Sequence, residues 1–266
     1  MSIIDGLLQG MLQGAMAFLP LSGDGHLALY QHFTGNSGEG SLPFSLMLHL
    51  GMLFSVCFAY RKDIWSVLCT LFRMLRELTQ KNSGIRTRDE YRRMSAMLLL
   101  AYVPLPGFLL LADWVAELRA DSDIAAEGIF FFFTGALLYL ACKCVKGKKT
   151  AGRMSGRDAL VVGVFWGMGI LPGVSSSGSA LSSGLLLGYS REYCVKFSFL
   201  LGLPVMLGTV MIELKNLLGA GVAIEWAPAL AGMIAAALIG FLCIRLIRYL
   251  VMSDQLVFFS YYAIVL

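Results

Sequence analysis

Two short stretches of this chain hold the residue types that chemistry needs, and each lies between apolar runs. Residues 171–184, LPGVSSSGSALSSG, contain six serines and three glycines. Residues 20–26, PLSGDGH, contain Ser22, Asp24 and His26. A helix is expected to start after each turn, near His26 and near Gly178. A helix N-terminus offers unpaired amide N–H groups and a partial positive charge, which suits phosphate. Ser22, Ser175, Ser176 and Ser177 would add hydroxyl donors, and Gly25, Gly173 and Gly178 would let backbone approach a ligand closely. Ionisable groups at bilayer depth are costly, which makes them functional candidates by default. Asp24 and His26 could therefore form an acid–base pair or hold a cation. Alternatively, the turn reaches water and Asp24 only caps the helix at His26. Ser182, Ser183, Gly184 and Gly188, farther along the second arm, read as small residues for close helix packing. His49 reads as a hydrogen-bonded packing residue, and Glu213 and Lys215 as interfacial groups at a helix end.

The elements that must position these turns are apolar. The 266 residues are 58% hydrophobic and 14% charged, with a mean hydropathy of +0.73. Runs at 42–60, 94–113, 127–144, 194–214 and 226–252 approach the roughly 20 residues that a membrane span needs. A final run, 255–266, is short and reads as a partial span. The expected class is an all-α polytopic membrane protein with a single membrane domain over 1–266. The first apolar run carries Asp5, Gln9 and Gln13 and lacks a basic start or a small-residue cleavage site, so it does not read as a cleaved leader. The six cysteines lie in or beside apolar helices. The C-x-C pair Cys142 and Cys144 has no second pair, so all six read as apolar fillers and no metal site is expected. Fifteen of the 21 Lys and Arg fall within 61–93 and 143–157. Both segments then read as cytoplasmic loops, with Trp114–Gly128 outside. Basic residues confined to such loops are no nucleic-acid footprint.

The chain also resembles itself. Shifted by 153 residues, 5–50 aligns with 158–203 without gaps and with twelve identities, among them Asp5/Asp158, Gly10/Gly163, Ser22/Ser175 and Gly25/Gly178. Each unit, 1–150 and 154–266, would be a re-entrant helix–turn–helix followed by three transmembrane helices. The re-entrant pairs are expected at 3–34 and 158–188. An odd number of spans inverts the second unit, a plan used by many transporters. The two turns would then meet near the midplane, where irregular backbone is tolerated only when buried in protein or lining a wet cavity.

At these turns the chain resembles the undecaprenyl-pyrophosphate phosphatase, or bacitracin-resistance, family. The family's first motif reads approximately E-G-x-T-E-F-L-P-V-S-S-T-G-H, against QGAMAFLPLSGDGH at 13–26 here. The second reads approximately P-G-x-S-R-S-G-x-T, against PGVSSSGSA at 172–180. The resemblance implies a metal-dependent hydrolase of a lipid pyrophosphate in the bacterial inner membrane, assembled as a homodimer. It also marks this chain as divergent. Gln13 and Ala17 replace two glutamates, Gly23 replaces the proposed nucleophilic serine, and Ser176 replaces the arginine of the second motif. Gln13 can hydrogen-bond a headgroup but cannot take a proton. Ser176 cannot form an arginine's bidentate clamp. Losing one electrostatic stabiliser typically costs about 10²–10³ in rate. The expected function is therefore binding or translocation of an isoprenoid lipid phosphate or pyrophosphate, with hydrolysis weakened or lost. The alternative is an active phosphatase using Asp24, His26 and Ser175 or Ser177, with a divalent cation such as Mg or Ca. A small-ion channel or transporter is a third reading, drawn from the fold alone.

Overall fold

The first helix, α1 (Ile3–Met16), opens on a capping box: Ser2 Oγ accepts from the Asp5 amide at 3.1 Å, and the Asp5 carboxylate accepts from the Ser2 amide at 3.2 Å. Such reciprocal caps satisfy the orphan donors of a helix start. The same device recurs 153 residues later. Ser155 and Asp158 cap α9 (Gly156–Gly167) in the same way, at 3.1 and 3.3 Å. These contacts belong to a computed structural model that describes residues 1–34, 42–79, 89–120, 124–220 and 225–266.

The remaining helices are α2 (Gly23–Thr34), α3 (Leu42–Ala59), α4 (Arg61–Thr79), α5 (Glu90–Ala101), α6 (Leu105–Leu109), α7 (Ala112–Ala120), α8 (Ala125–Lys143), α10 (Ser176–Leu186), α11 (Arg191–Ala220), α12 (Trp226–Met252) and α13 (Val257–Val265). Two single 3₁₀ turns, Ala151–Arg153 and Met168–Ile170, flank α9. Among the described residues the only β pairing is one bridge, Lys149 with Tyr189. Four helices, α3, α8, α11 and α12, are long and apolar enough to cross a membrane, and the α5–α7 segment makes a fifth if its bent halves form one span. The chain is an all-α, multi-pass membrane protein. Its outward-facing Phe54, Ile129, Phe132, Met211 and Leu238 suit hydrocarbon rather than water.

Glycine spacing sets the central packing. Gly6, Gly10 and Gly14 form one stripe of α1, and α12 passes directly over it. A Cβ on Gly6 or Gly14 would stand 2.5 or 2.6 Å from the carbonyl oxygen of Pro228 or Ala236, and one on Gly10 would be closer still to Gly232. Helices in a bilayer associate by such close backbone approach. Phe18, just past α1, lies against Gly240. The first turn therefore sits beside the middle of the 27-residue α12. At one end of α12 the N-terminal ammonium pairs with Glu225 at 2.8 Å. At the other end Asp254 binds Lys146 at 2.5 Å and also Arg191. These two cations hold the Asp254 carboxyl well below the usual carboxylate range, Arg191 most strongly.

Three boundaries differ from the sequence reading. The expected loop 61–93 holds α4 and the start of α5, and the expected loop Trp114–Gly128 holds most of α7. The α4 pattern is amphipathic: Trp65, Leu68, Phe72 and Leu75 recur at helical spacing and are exposed on one face. Charge density in this segment obscured that periodicity. The expected span 94–113 is also interrupted. Pro104 and Pro106 withdraw amide donors after Ala101, and the segment bends by 65° between Glu90–Leu109 and Ala112–Leu118. The repeat identities at 35 and 37, and Lys81, Arg86 and Arg88, lie outside the described residues.

Candidate functional site

Both sequence-predicted turns are helix–turn–helix junctions whose arms are too short to span. α1 and α2 have 14 and 12 residues, and α9 and α10 have 12 and 11, against the roughly 20 that a crossing needs. Each second arm is capped by the serine that precedes it. Ser22 Oγ accepts from the Gly25 amide at 3.4 Å, and Ser175 Oγ from the Gly178 amide at 3.1 Å. Ser22 takes φ 62°, left-handed backbone that a non-glycine residue adopts only when its surroundings impose it.

The turns touch. A Cβ on Gly25 would lie 2.9 Å from Gly173 Cα, and one on Gly178 3.0 Å from Pro20 Cβ. Gly173, at φ 95°, needs glycine for its backbone as well as for this approach. Thr134 of α8 pins the second turn: its hydroxyl donates to the Gly173 carbonyl at 3.0 Å and accepts from the Ser175 amide at 3.2 Å. Ser198 of α11 donates to the Ser177 carbonyl at 3.0 Å.

Between the turns lies a cavity of about 280 Å³. Gln13, Ala17, Ser22 and Gly23 line it from the first turn, and Ser175, Ser176 and Ser177 from the second. His49 and Met52 of α3, Trp166 of α9, and Phe199 and Thr209 of α11 complete the wall. Of the residues expected to bind, the structure brings Gln13, Ser22, Ser175, Ser176 and Ser177 together. Gly25, Gly173 and Gly178 serve the contact between turns rather than the wall. His26 does not line the cavity. Its Nδ1–H donates to the Ser22 carbonyl at 2.8 Å, its Nε2 accepts from the Tyr262 hydroxyl at 3.0 Å, and its ring stands edge-on to Phe131 at 5.0 Å. The side chain of Asp24 lies outside the described residues. Ser182, Ser183 and Gly184 are buried in helix packing, and a Cβ on Gly184 would meet Cys194 Sγ at 2.9 Å.

Sequence reasoning missed one feature. His49 faces the cavity, and Glu213 of α11 reaches it. The Nδ1 of His49 lies 3.0 Å from Glu213 Oε2 and 3.0 Å from the Ser45 carbonyl, while the Ser45 hydroxyl donates to Glu213 Oε1 at 2.7 Å. The i, i+4 spacing of Ser45 and His49 and of Thr209 and Glu213 was a readable signal. Nothing local said that the two faces meet.

The donor set limits the chemistry. The described lining consists of amide, hydroxyl, imidazole, backbone and apolar groups. Mg²⁺ and Ca²⁺ sites are built on carboxylate oxygens. Glu213, the nearby carboxylate, accepts from the Ser45 hydroxyl through Oε1, while its buried Oε2 lies 3.0 Å from His49 and accepts no hydrogen bond. Among the described residues no three His, Cys, Asp or Glu gather as a metal cluster. The described lining offers no carboxylate of its own to a divalent cation.

The family model described as "Bacitracin resistance protein BacA" matches residues 6–266. The chain belongs to this family. Several named relatives resemble it along nearly their whole length. The protein named undecaprenyl-diphosphatase of Alkaliphilus metalliredigens is 34% identical over 98% of this chain and 95% of its own. The protein of the same name from Treponema denticola is 32% identical over 99% and 94%. That of Methanobrevibacter smithii is 30% identical over 98% and 94%.

Proposed function

We propose that this BacA-family protein binds the phosphate or pyrophosphate headgroup of an isoprenoid lipid in the cavity between the two turns, and carries it or presents it without hydrolysing it. The observation that carries this reading is the cavity lining: two helix starts and five serine side chains converge there, and the described wall holds neither a carboxylate nor a guanidinium. Headgroup oxygens would accept from the Ser176 and Ser177 amides at the start of α10, which have no intrahelical acceptor, and from the hydroxyls of Ser176 and Ser177. A volume of about 280 Å³ suits a headgroup, with the isoprenoid tail left in the bilayer. In-line phosphoryl transfer also needs a nucleophile, a base or metal, and cations on the developing charge. Gln13, Ala17, Gly23 and Ser176 supply none of these.

The reading includes inverted units in a bacterial inner membrane, with the Lys- and Arg-rich end in the cytoplasm. Its support is the position of the two capping boxes. Ser2 lies next to Met1, which pairs with Glu225 at the start of α12. Ser155 follows Met154, whose carbonyl accepts from Arg93 at 2.9 Å, on the side of the bundle where Lys146 and Arg191 meet Asp254.

The names of the relatives favour a second reading, an active undecaprenyl-diphosphatase. The titratable pair at the cavity would then be His49 and Glu213, with His26 held outside it. A phosphate-release assay on undecaprenyl pyrophosphate, run with a divalent-cation series, separates the two. The proposal expects binding without release. Release at rates typical of the family, abolished in His49→Gln, would establish the second reading instead. A restoring variant sharpens the test: Gln13→Glu, Ala17→Glu, Gly23→Ser and Ser176→Arg together should gain phosphate release. A Cβ on Gly23 would meet nothing closer than 3.5 Å, so the serine fits.

A further inference from the structure

Where α3 passes into α4, beside the last turns of α12 and the start of α11, a second cavity of about 370 Å³ opens. Five cations line it: Arg61, Lys62, Lys196, Arg245 and Arg248. The two carboxylates in its wall are already engaged, Asp63 by Lys196 at 2.9 Å and Glu192 by Arg248 at 3.3 Å. Among the described residues Arg61 and Arg245 have no carboxylate partner. They are nevertheless held in place. Arg61 lies 5.0 Å over the Phe58 ring and donates to the Phe58 carbonyl at 3.3 Å. Arg245 lies 4.7 Å over Phe241, and the two rings pack edge to face at 5.3 Å.

Depth is set by the neighbours. The apolar span α3 ends at Ala59, and α4 continues with Trp65 and Phe72 exposed at 70% and 69%, an apolar face of the kind that suits a bilayer boundary. Below the cavity, exposed Phe54 of α3 and Leu238 of α12 continue the surface of Phe58 and Phe241 one turn into the hydrocarbon. Two fixed guanidiniums at headgroup depth above an apolar strip match an anionic amphiphile, and basic pockets between membrane helices are suited to such headgroups.

We propose that this cavity binds the phosphate of an anionic membrane phospholipid, with Arg61 and Arg245 on the phosphate oxygens and acyl chain along Phe54 and Leu238. The site shares no lining residue with the central cavity, and the aromatic series Tyr60, Phe199 and Phe18 stands between them, with centroids 5.6 and 6.0 Å apart.

The test titrates dioleoylphosphatidylglycerol or dioleoylphosphatidylcholine into the purified full-length protein in a neutral detergent, with retained lipid counted by native mass spectrometry. The wild type should hold phosphatidylglycerol in preference to phosphatidylcholine. Arg61→Gln/Arg245→Gln should weaken that binding roughly thirtyfold. Lys148→Gln/Arg157→Gln, equal in charge change and exposed elsewhere, should bind as the wild type does. Thermal midpoints in phosphatidylcholine should coincide for all three. Equal retention of the two lipids by the wild type, which needs no variant, overturns the proposal. So does an equal loss in the control variant, or displacement of phosphatidylglycerol by millimolar inorganic phosphate at constant ionic strength.

Discussion

Ser175 has two tasks, and they separate experimentally. Its hydroxyl caps α10 through the Gly178 amide and lies 3.4 Å from the Ser177 hydroxyl at the cavity wall. Losing an N-cap costs about 1 kcal/mol, so Ser175→Ala should lower the thermal midpoint by roughly 3 °C, at the few degrees per kcal/mol expected for a chain of this size. Headgroup binding should fall further than that stability loss explains. Ser176→Ala, which removes a hydroxyl that caps nothing, should weaken binding and leave the midpoint unchanged. The Glu213 carboxylate accepts from the Ser45 hydroxyl and lies 3.0 Å from His49. Glu213→Leu strips the Ser45 hydroxyl of its acceptor and should destabilise by about 1–3 kcal/mol, as expected when a partly buried partner is orphaned. Glu213→Gln, which still accepts from Ser45, should cost less. Chemical denaturation in detergent measures both. The place of Ser22 and Ser175 at the cavity was legible, because a serine in a glycine-rich turn two or three residues after a proline has few other uses at bilayer depth. His49 was not, because its partner is 164 residues away.

At the scale of elements, close approach of α1 to α12 fixes where the first turn stops. Gly10 lies under the Gly232 backbone, so Gly10→Leu has no room and should cost about 3 kcal/mol or more by overpacking. Gly128, in the first turn of α8, has nothing within 4 Å of a Cβ. Gly128→Ala should be neutral or stabilise by up to about 1 kcal/mol, the helix-propensity difference. Heat denaturation of the two variants in detergent gives the contrast. The i, i+4 glycine spacing of α1 and the apolar runs of α3, α8, α11 and α12 were readable from sequence, since both periodicities are local. The break between α5 and α7 and the amphipathic α4 were under-read, because hydropathy averages across prolines and charge masks a helical stripe.

Across the whole molecule, the testable proposal is that the two units run in opposed directions. In a cysteine-free background, Ser2→Cys should react with a membrane-impermeant maleimide from outside the cell. Ser155→Cys should react only after permeabilisation. Labelling of both from one side would remove the inverted arrangement. Asp254 clasps the α8–α9 connection and α11 to the end of α12. Its folded-state pKa is lowered, so its contribution to stability is present above the ordinary carboxylate value of about 4 and fades as the pH falls below it. The carboxylate is exposed and screened, which keeps the effect small. The thermal midpoint of the wild type should therefore drop more on acidification than that of Asp254→Asn.

By itself the sequence determined the membrane class, the two capped turns and the loss of charged groups from their motifs. Hydropathy, caps and motif residues act within a few positions, so they can be read along the chain. Only the tertiary structure decided that the turns touch through Gly25 and Gly173, that His26 faces Tyr262 instead of the cavity, and that Arg61 and Arg245 share a pocket. Those outcomes depend on which helix face packs against which neighbour, a global balance of close packing that no local window contains.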